Sequence, residues 1–133
     1  MINYIEGHTL LINKPLRWTS FDVVKKIRNT LRSALQLKKI KVGHAGTLDP
    51  LADGLLIVCT GKFTKRINEF QAQEKEYSAE FTLGATTPSF DLETEVNETF
   101  DYNHITEDML KITAESLTGN CLLYTSDAAD ELL

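Results

Sequence analysis

Apolar positions recur along this chain with two different periods, and the switches between them outline its elements. Residues 9–13 (Thr-Leu-Leu-Ile-Asn) form a short apolar run that reads as a strand. Thr19-Ser20-Phe21-Asp22 then opens a helix as a capping box, with Asp in place of the usual Glu. Val24, Ile27, Leu31, Ala34 and Leu35 follow at helical spacing and carry that helix to about Leu35. Lys25, Arg28 and Arg32 share its opposite side. Residues 55–60 (Leu-Leu-Ile-Val-Cys-Thr) give the clearest strand, and Gly61-Lys62-Phe63-Thr64-Lys65-Arg66 starts a second helix ending near Phe70. Over residues 77–85 the period drops to two. Tyr77, Ala79, Phe81 and Leu83 fall on one face, and Ser78, Glu80 and Thr82 on the other, the signature of a half-buried strand. Residues 86–103 are acidic and loop-like, and residues 105–117 predict a last helix with Thr106 as its cap. There is no internal repeat and no low-complexity tract.

A chain of 133 residues is room for one domain with a modest core. An apolar share of 42% and a charged share of 25% are ordinary for a globular protein. The longest apolar run is about five residues, where a membrane span needs roughly 20. Met1-Ile2-Asn3-Tyr4-Ile5-Glu6 has neither a basic n-region nor an apolar h-region, so no secretory signal is expected. Cys59 and Cys121 make no CxxC pair and no disulfide framework, and Cys59 reads as a small buried apolar residue. These features together lead to the expectation of a cytoplasmic protein.

Charge changes the picture. The net charge of −5 hides a division: residues 1–66 hold 12 Lys and Arg against 4 acids, and residues 67–133 hold 2 against 15. A basic half points to a polyanion, most commonly nucleic acid. Lys38, Lys39 and Lys41 lead from the basic helix into Gly43-His44-Ala45-Gly46-Thr47-Leu48-Asp49-Pro50-Leu51-Ala52-Asp53-Gly54. Here a carboxylate, Asp49, stands among three glycines, a histidine and a proline that pushes Asp49 towards an extended conformation. Such a loop holds a single acid in one pose at the mouth of a strand. Beyond it, Lys62, Lys65 and Arg66 lie in the first turn of the second helix. The helix dipole disfavours cations there, which hints at a phosphate nearby.

Six ordered blocks carry a family resemblance. They are Asn13-Lys14-Pro15, Trp18-Thr19-Ser20-Phe21-Asp22, the glycine loop from Gly43 to Ala52, Gly61-Lys62-Phe63-Thr64-Lys65, Lys75-Glu76-Tyr77 and Leu83-Gly84-Ala85-Thr86-Thr87. In this order the chain resembles the TruB family of bacterial tRNA pseudouridine synthases over roughly residues 6–119. The resemblance implies isomerisation of a uridine, at position 55 in the T-loop of tRNA, to pseudouridine. It implies an α+β pseudouridine synthase fold, with a mixed, largely antiparallel sheet and flanking helices. Asp49 matches the family's essential aspartate, which needs no metal and no cofactor to act at the sugar as nucleophile or base. Tyr77 matches the tyrosine that stacks on the target base and has been assigned a late proton removal. His44 matches a histidine that fills the gap left by the flipped uridine. Lys14, Lys65, Lys25, Arg28 and Arg32 would contact RNA phosphates. Asp91 sits where the family has a loop acid near the pocket. The implied partner is the T-arm of tRNA, with no membrane and no metal, and a monomer at full length.

The chain departs from the family in two places. Asp53 stands where the family has a small residue or Thr, so a second carboxylate follows Asp49 by four residues. It could raise the catalytic pKa, repel phosphate or simply face solvent. From about residue 121 the run Cys-Leu-Leu-Tyr-Thr-Ser-Asp-Ala-Ala-Asp-Glu-Leu-Leu reads as the translation of a transposase adapter from sequencing libraries. The expected organisation is thus residues 1–120 as the N-terminal part of the catalytic domain and 121–133 as a non-native tail. The family's later motif, whose arginine keeps the aspartate ionised, is absent from the chain as written. The sheet is therefore expected to be truncated, the core thin, and activity weak or nil. A non-catalytic RNA-binding fragment stays open. A hydrolase using a lone Asp would need a second acid or a metal, and the sequence offers no convincing pair.

Overall fold

The computed structural model describes residues 2–119, which divide into two units, one to residue 79 and one from residue 80. The expected tail from 121 lies outside the described residues.

The first unit is built on a three-stranded antiparallel sheet. Strand β1 (His8–Lys14), helix α1 (Ser20–Ala34), strand β2 (Val42–Ala45) and strand β3 (Gly54–Thr60) follow in order, and the sheet order is β1-β3-β2. The apolar run predicted to be the clearest strand is the central one. His8 pairs with Thr60 and Lys14 with Gly54 on one side of it, and Val42 pairs with Thr60 and Ala45 with Ile57 on the other. Leu56 and Val58 of this strand turn into the core, and Cys59 and Thr60 are buried as well. Helix α1 begins where its capping box does: Thr19 Oγ1 accepts from the Asp22 amide at 3.0 Å, and Asp22 Oδ2 accepts from the Thr19 amide at 3.0 Å. Val23 and Val24 of this helix pack with Ile40, Val42, Leu56 and Val58 to form the core, and Leu10, Ile12, Ile27 and Leu31 close its margins. A 3-10 segment (Gly61–Arg66) and helix α2 (Ile67–Gln71) complete the ordered elements of this unit.

The second unit has a two-residue ladder between β4 (Ala85–Thr86) and β5 (Glu98–Thr99), then helix α3 (Glu107–Ser116). Thr106 caps α3 as expected, its hydroxyl accepting from the Met109 amide.

The sequence-based reading needs correction at three points. The segment 77–85 forms no strand: only Ala85 enters a ladder, and Phe81 is 85% exposed. Alternation specifies which face a strand would bury, but a strand also needs a neighbour to bond, and none pairs with residues 77–83 among the described residues; Gly84 only accepts from the Phe100 amide beside the short ladder. The glycine loop begins as strand β2, because four residues with a single β-branched side chain are too short for their period to show. The helix expected from Gly61 starts as a 3-10 segment and becomes α-helical only at Ile67.

Candidate active site

Asp49 sits in the connection between β2 and β3. Gly46 (φ +97°) and Gly54 (φ +114°) take the chain out of one strand and into the next in a conformation other residues rarely adopt. Between them the Ala52 amide donates to the Asp49 carbonyl at 3.0 Å, closing a turn with Pro50 at its second position, where a fixed φ favours it. Two long-range ties flank the acid. On one side the buried Ser20 hydroxyl accepts from the Leu48 amide (2.9 Å) and lies 3.2 Å from the Leu48 carbonyl, to which it also donates. On the other, the Arg17 amide donates to the Pro50 carbonyl at 2.6 Å. The backbone on both sides of Asp49 is therefore held by the first turn of α1 and the loop before it. The residue itself is exposed, with no side-chain hydrogen bond and no ion pair among the described residues. This leaves an accessible carboxylate on a pinned backbone, fit to act as a base or a nucleophile. Asp53 is likewise exposed.

Lys14 does not serve as a surface phosphate contact. It is fully buried at the end of β1, and its ammonium donates to the carbonyls of Pro15 (3.1 Å) and Trp18 (2.6 Å). A buried ammonium must be hydrogen-bonded to be tolerated, and these bonds fold residues 14–18 into a tight loop. Within that loop Arg17 has φ +66°, a strained conformation for a non-glycine residue, costing of order 1–3 kcal/mol. The bonds from Lys14 and to Pro50 hold it there.

His44 lies on β2, paired with Val58, and its Nδ1 stands 2.7 Å from the Gly46 carbonyl. A carbonyl can only accept, so Nδ1 carries the hydrogen and Nε2 is left as an acceptor when the ring is neutral. Tyr77 is 67% exposed. Its segment does approach the turn: Lys75 Cε lies 4.0 Å from where a Cβ on Gly46 would stand.

The expected phosphate-binding cations separate. Lys25 and Arg32 are exposed on α1. Arg28 turns back to donate to the Val42 carbonyl at 3.2 Å, so part of its guanidinium ties α1 to β2. Lys65 is exposed. The hint of a phosphate at the second helix has a protein explanation. Lys62 pairs with Glu6 (2.6 Å), and Arg66 bonds Glu69 (2.9 Å) and stacks over the rings of Phe63 and Phe70.

Asp91 belongs to the second unit and is engaged in its own loop. Its Oδ1 accepts from the Ser89 hydroxyl (2.6 Å) and the Glu93 amide (2.9 Å), and the Ser89 bond chiefly holds its carboxyl below the usual range. Cys59 is buried as expected, and that burial pushes its thiol pKa up.

Sequence reasoning missed Ser20 as a support of the Asp49 backbone. Its side chain does not take part in the capping box, which was the only signal at that position. Among the described residues no helix is long and apolar enough to cross a membrane.

Comparison with known proteins adds the family. The TruB family pseudouridylate synthase (N terminal domain) matches residues 32–126. The chain is 56% identical over 117 residues to tRNA pseudouridine synthase B of Flavobacterium johnsoniae, covering 87% of this chain and 51% of that protein. It is 55% identical over 118 residues to tRNA pseudouridine synthase B of Parabacteroides distasonis, covering 89% and 50%. The protein of that name from Chlorobium chlorochromatii is 50% identical over 116 residues, covering 87% and 45%. The chain spans about half the length of the curated relatives it matches.

Proposed function

The chain belongs to the TruB family of pseudouridylate synthases, and on that premise we propose that it carries the catalytic acid of a tRNA uridine isomerase. The substrate is uridine 55 in the T-loop of tRNA. The bond from ribose C1′ to uracil N1 breaks, the base turns, and C1′ is joined to C5. The C5 proton is then lost to solvent and N1 gains one. Asp49 acts at the sugar, as nucleophile or base. Tyr77 stacks on the flipped uracil and serves the late proton removal; an aromatic platform tolerates rotation of the ring. His44 fills the gap left in the T-loop. Lys25, Arg28, Arg32 and Lys65 bear on the phosphates. One observation carries this reading: an exposed carboxylate whose backbone is tied on both sides, by Ser20 and by Arg17, within the basic part of the chain.

Turnover requires more chain than these 133 residues. Within the described residues no cation pairs with Asp49, and the relatives are about twice as long. In this proposal residues 1–120 form the N-terminal part of a catalytic domain that works as a cytoplasmic monomer at full length, and residues 121–133 are foreign to it. The unpaired state of Asp49 also favours a second reading, a non-catalytic RNA-binding fragment. Tritium release from T-arm RNA carrying [5-³H]uridine tests both. The chain alone should release little or nothing, whereas a full-length relative turns over and loses turnover when its matching aspartate becomes Asn. Release by the chain at a full-length rate overturns the requirement for more chain. RNA binding that survives Asp49→Ala, with no pseudouridine formed by a full-length form of this protein, selects the non-catalytic reading.

A further inference from the structure

We infer that the groove beside the start of α1 is a second RNA subsite, taking one phosphodiester and one unstacked base of a strand that passes the Asp49 turn. The inference rests on the RNA reading above. The groove is a cavity of about 410 Å³ lined by Arg17, Trp18, Asp22, Lys25, Lys26 and Asn29, within the size range of small-ligand sites. Three of the six are cations and one is an acid. That acid is already engaged: both the amide and the hydroxyl of Thr19 donate to Asp22 Oδ2, and these bonds hold its carboxyl below the usual range. Its carboxylate stays charged, and three cations against one anion still leave the groove a surplus of positive charge.

Its composition matches a nucleotide more closely than a bare anion. A guanidinium and two ammonium groups suit a phosphodiester. Trp18 is partly exposed at the same groove, and an indole face is the natural platform for an unstacked base. Asn29 adds an amide that can bond a base edge. The groove is also coupled to the catalytic turn. Arg17 lines it with its side chain while its amide is bonded to the carbonyl of Pro50, the residue after Asp49. A strand presenting a uridine to Asp49 therefore runs close to it. The left-handed backbone of Arg17 belongs to the same loop that Lys14 folds, so the strained residue is the one shared by groove and turn.

Trp18 is the only tryptophan, so emission excited selectively at tryptophan reports on this groove alone. The 133-residue chain is titrated with a T-arm RNA hairpin, and with inorganic tripolyphosphate as an anion probe, at several salt concentrations. Total RNA binding is followed in parallel by filter retention. RNA is expected to quench Trp18 with the same midpoint as retention, and tripolyphosphate to compete with much weaker quenching. Arg17→Gly suits the left-handed backbone, and Lys26→Gln is exposed. Each should weaken RNA binding several-fold and flatten the log–log salt dependence by about 0.7–0.9. Trp18→Leu should weaken retention about 5-fold or more with the salt slope unchanged. Far-UV circular dichroism matching the parent separates these losses from unfolding. RNA retention without quenching, and with both cation variants unchanged, overturns the subsite while the RNA reading stands. Equal quenching by tripolyphosphate overturns the base platform. Failure of the parent chain to retain RNA at low salt overturns the RNA reading itself, and the subsite with it.

Discussion

The unit ending at residue 79 closes α1 onto a sheet and buries Val23, Val24, Ile40, Val42, Leu56 and Val58, whereas the unit from residue 80 buries no large apolar side chain among its described residues. Phe90 is 95% exposed there, and every apolar position of α3 is at least half open or nearly so. The local signals of the two units are nonetheless alike. Thr19 caps α1 and Thr106 caps α3, and both helices carry apolar residues at helical spacing. A cap and a period are enough to start a helix and orient its face. Burial needs a second apolar surface at the right distance, and the first unit has one because β3 is paired on both sides.

The comparison can be broken most directly in the core. Leu56→Ala should cost about 2–5 kcal/mol in denaturant unfolding followed by Trp18 fluorescence. Phe90→Ala should stay within about 0.5 kcal/mol in the same measurement. Equal effects would mean that the second unit shares the folding transition of the first. Next in size is Lys14→Met, which keeps the length of the side chain and removes its donors. Leaving the Pro15 and Trp18 carbonyls without that partner should cost about 1–3 kcal/mol, and Trp18 emission should shift even in the folded protein. An unchanged emission and midpoint would show that the loop is held without the ammonium.

The caps sharpen the contrast further. Thr19→Ala should lower global stability by about 0.5–2 kcal/mol. Thr106→Ala should reduce far-UV helicity and leave the Trp18 unfolding midpoint where it was. The smallest effect is on acidification. The hydrogen bonds from Thr19 depress the Asp22 carboxyl below its ordinary value of 3.8, and those from Ser89 and Glu93 do the same for Asp91. A group depressed in the folded state stabilises above its unfolded value and loses that contribution as the pH falls through its folded value. Below about pH 4, therefore, the global melting temperature should fall through Asp22, and Asp22→Asn should flatten that fall. Asp91→Asn should leave it unchanged.

Much of this architecture was legible because it depends on neighbours in sequence. The capping box at Thr19, the cap at Thr106, the central strand and the placement of Asp49 between Gly46 and Gly54 all rest on residues a few positions apart. So does the family resemblance, which is carried by ordered short blocks. Tyr77 shows the limit. Its alternating segment announces a face, but nothing nearby in sequence says whether a paired strand stands beside it.

Two basic residues show the same limit for function. By composition Lys14 and Arg28 were equivalent to Lys25, cations in a basic stretch. The fold places Lys14 opposite Gly54 with its ammonium on two carbonyls, and places Arg28 within reach of the Val42 carbonyl, 14 residues away. Ser20 was one letter of a cap motif until its hydroxyl met Leu48, 28 residues on. The sequence by itself determined which residue types could do chemistry and which local turns would hold them. Only the tertiary structure decided which polar groups face solvent and which are bonded within the protein. A charge cannot be buried without partners, and those partners come from distant parts of the chain.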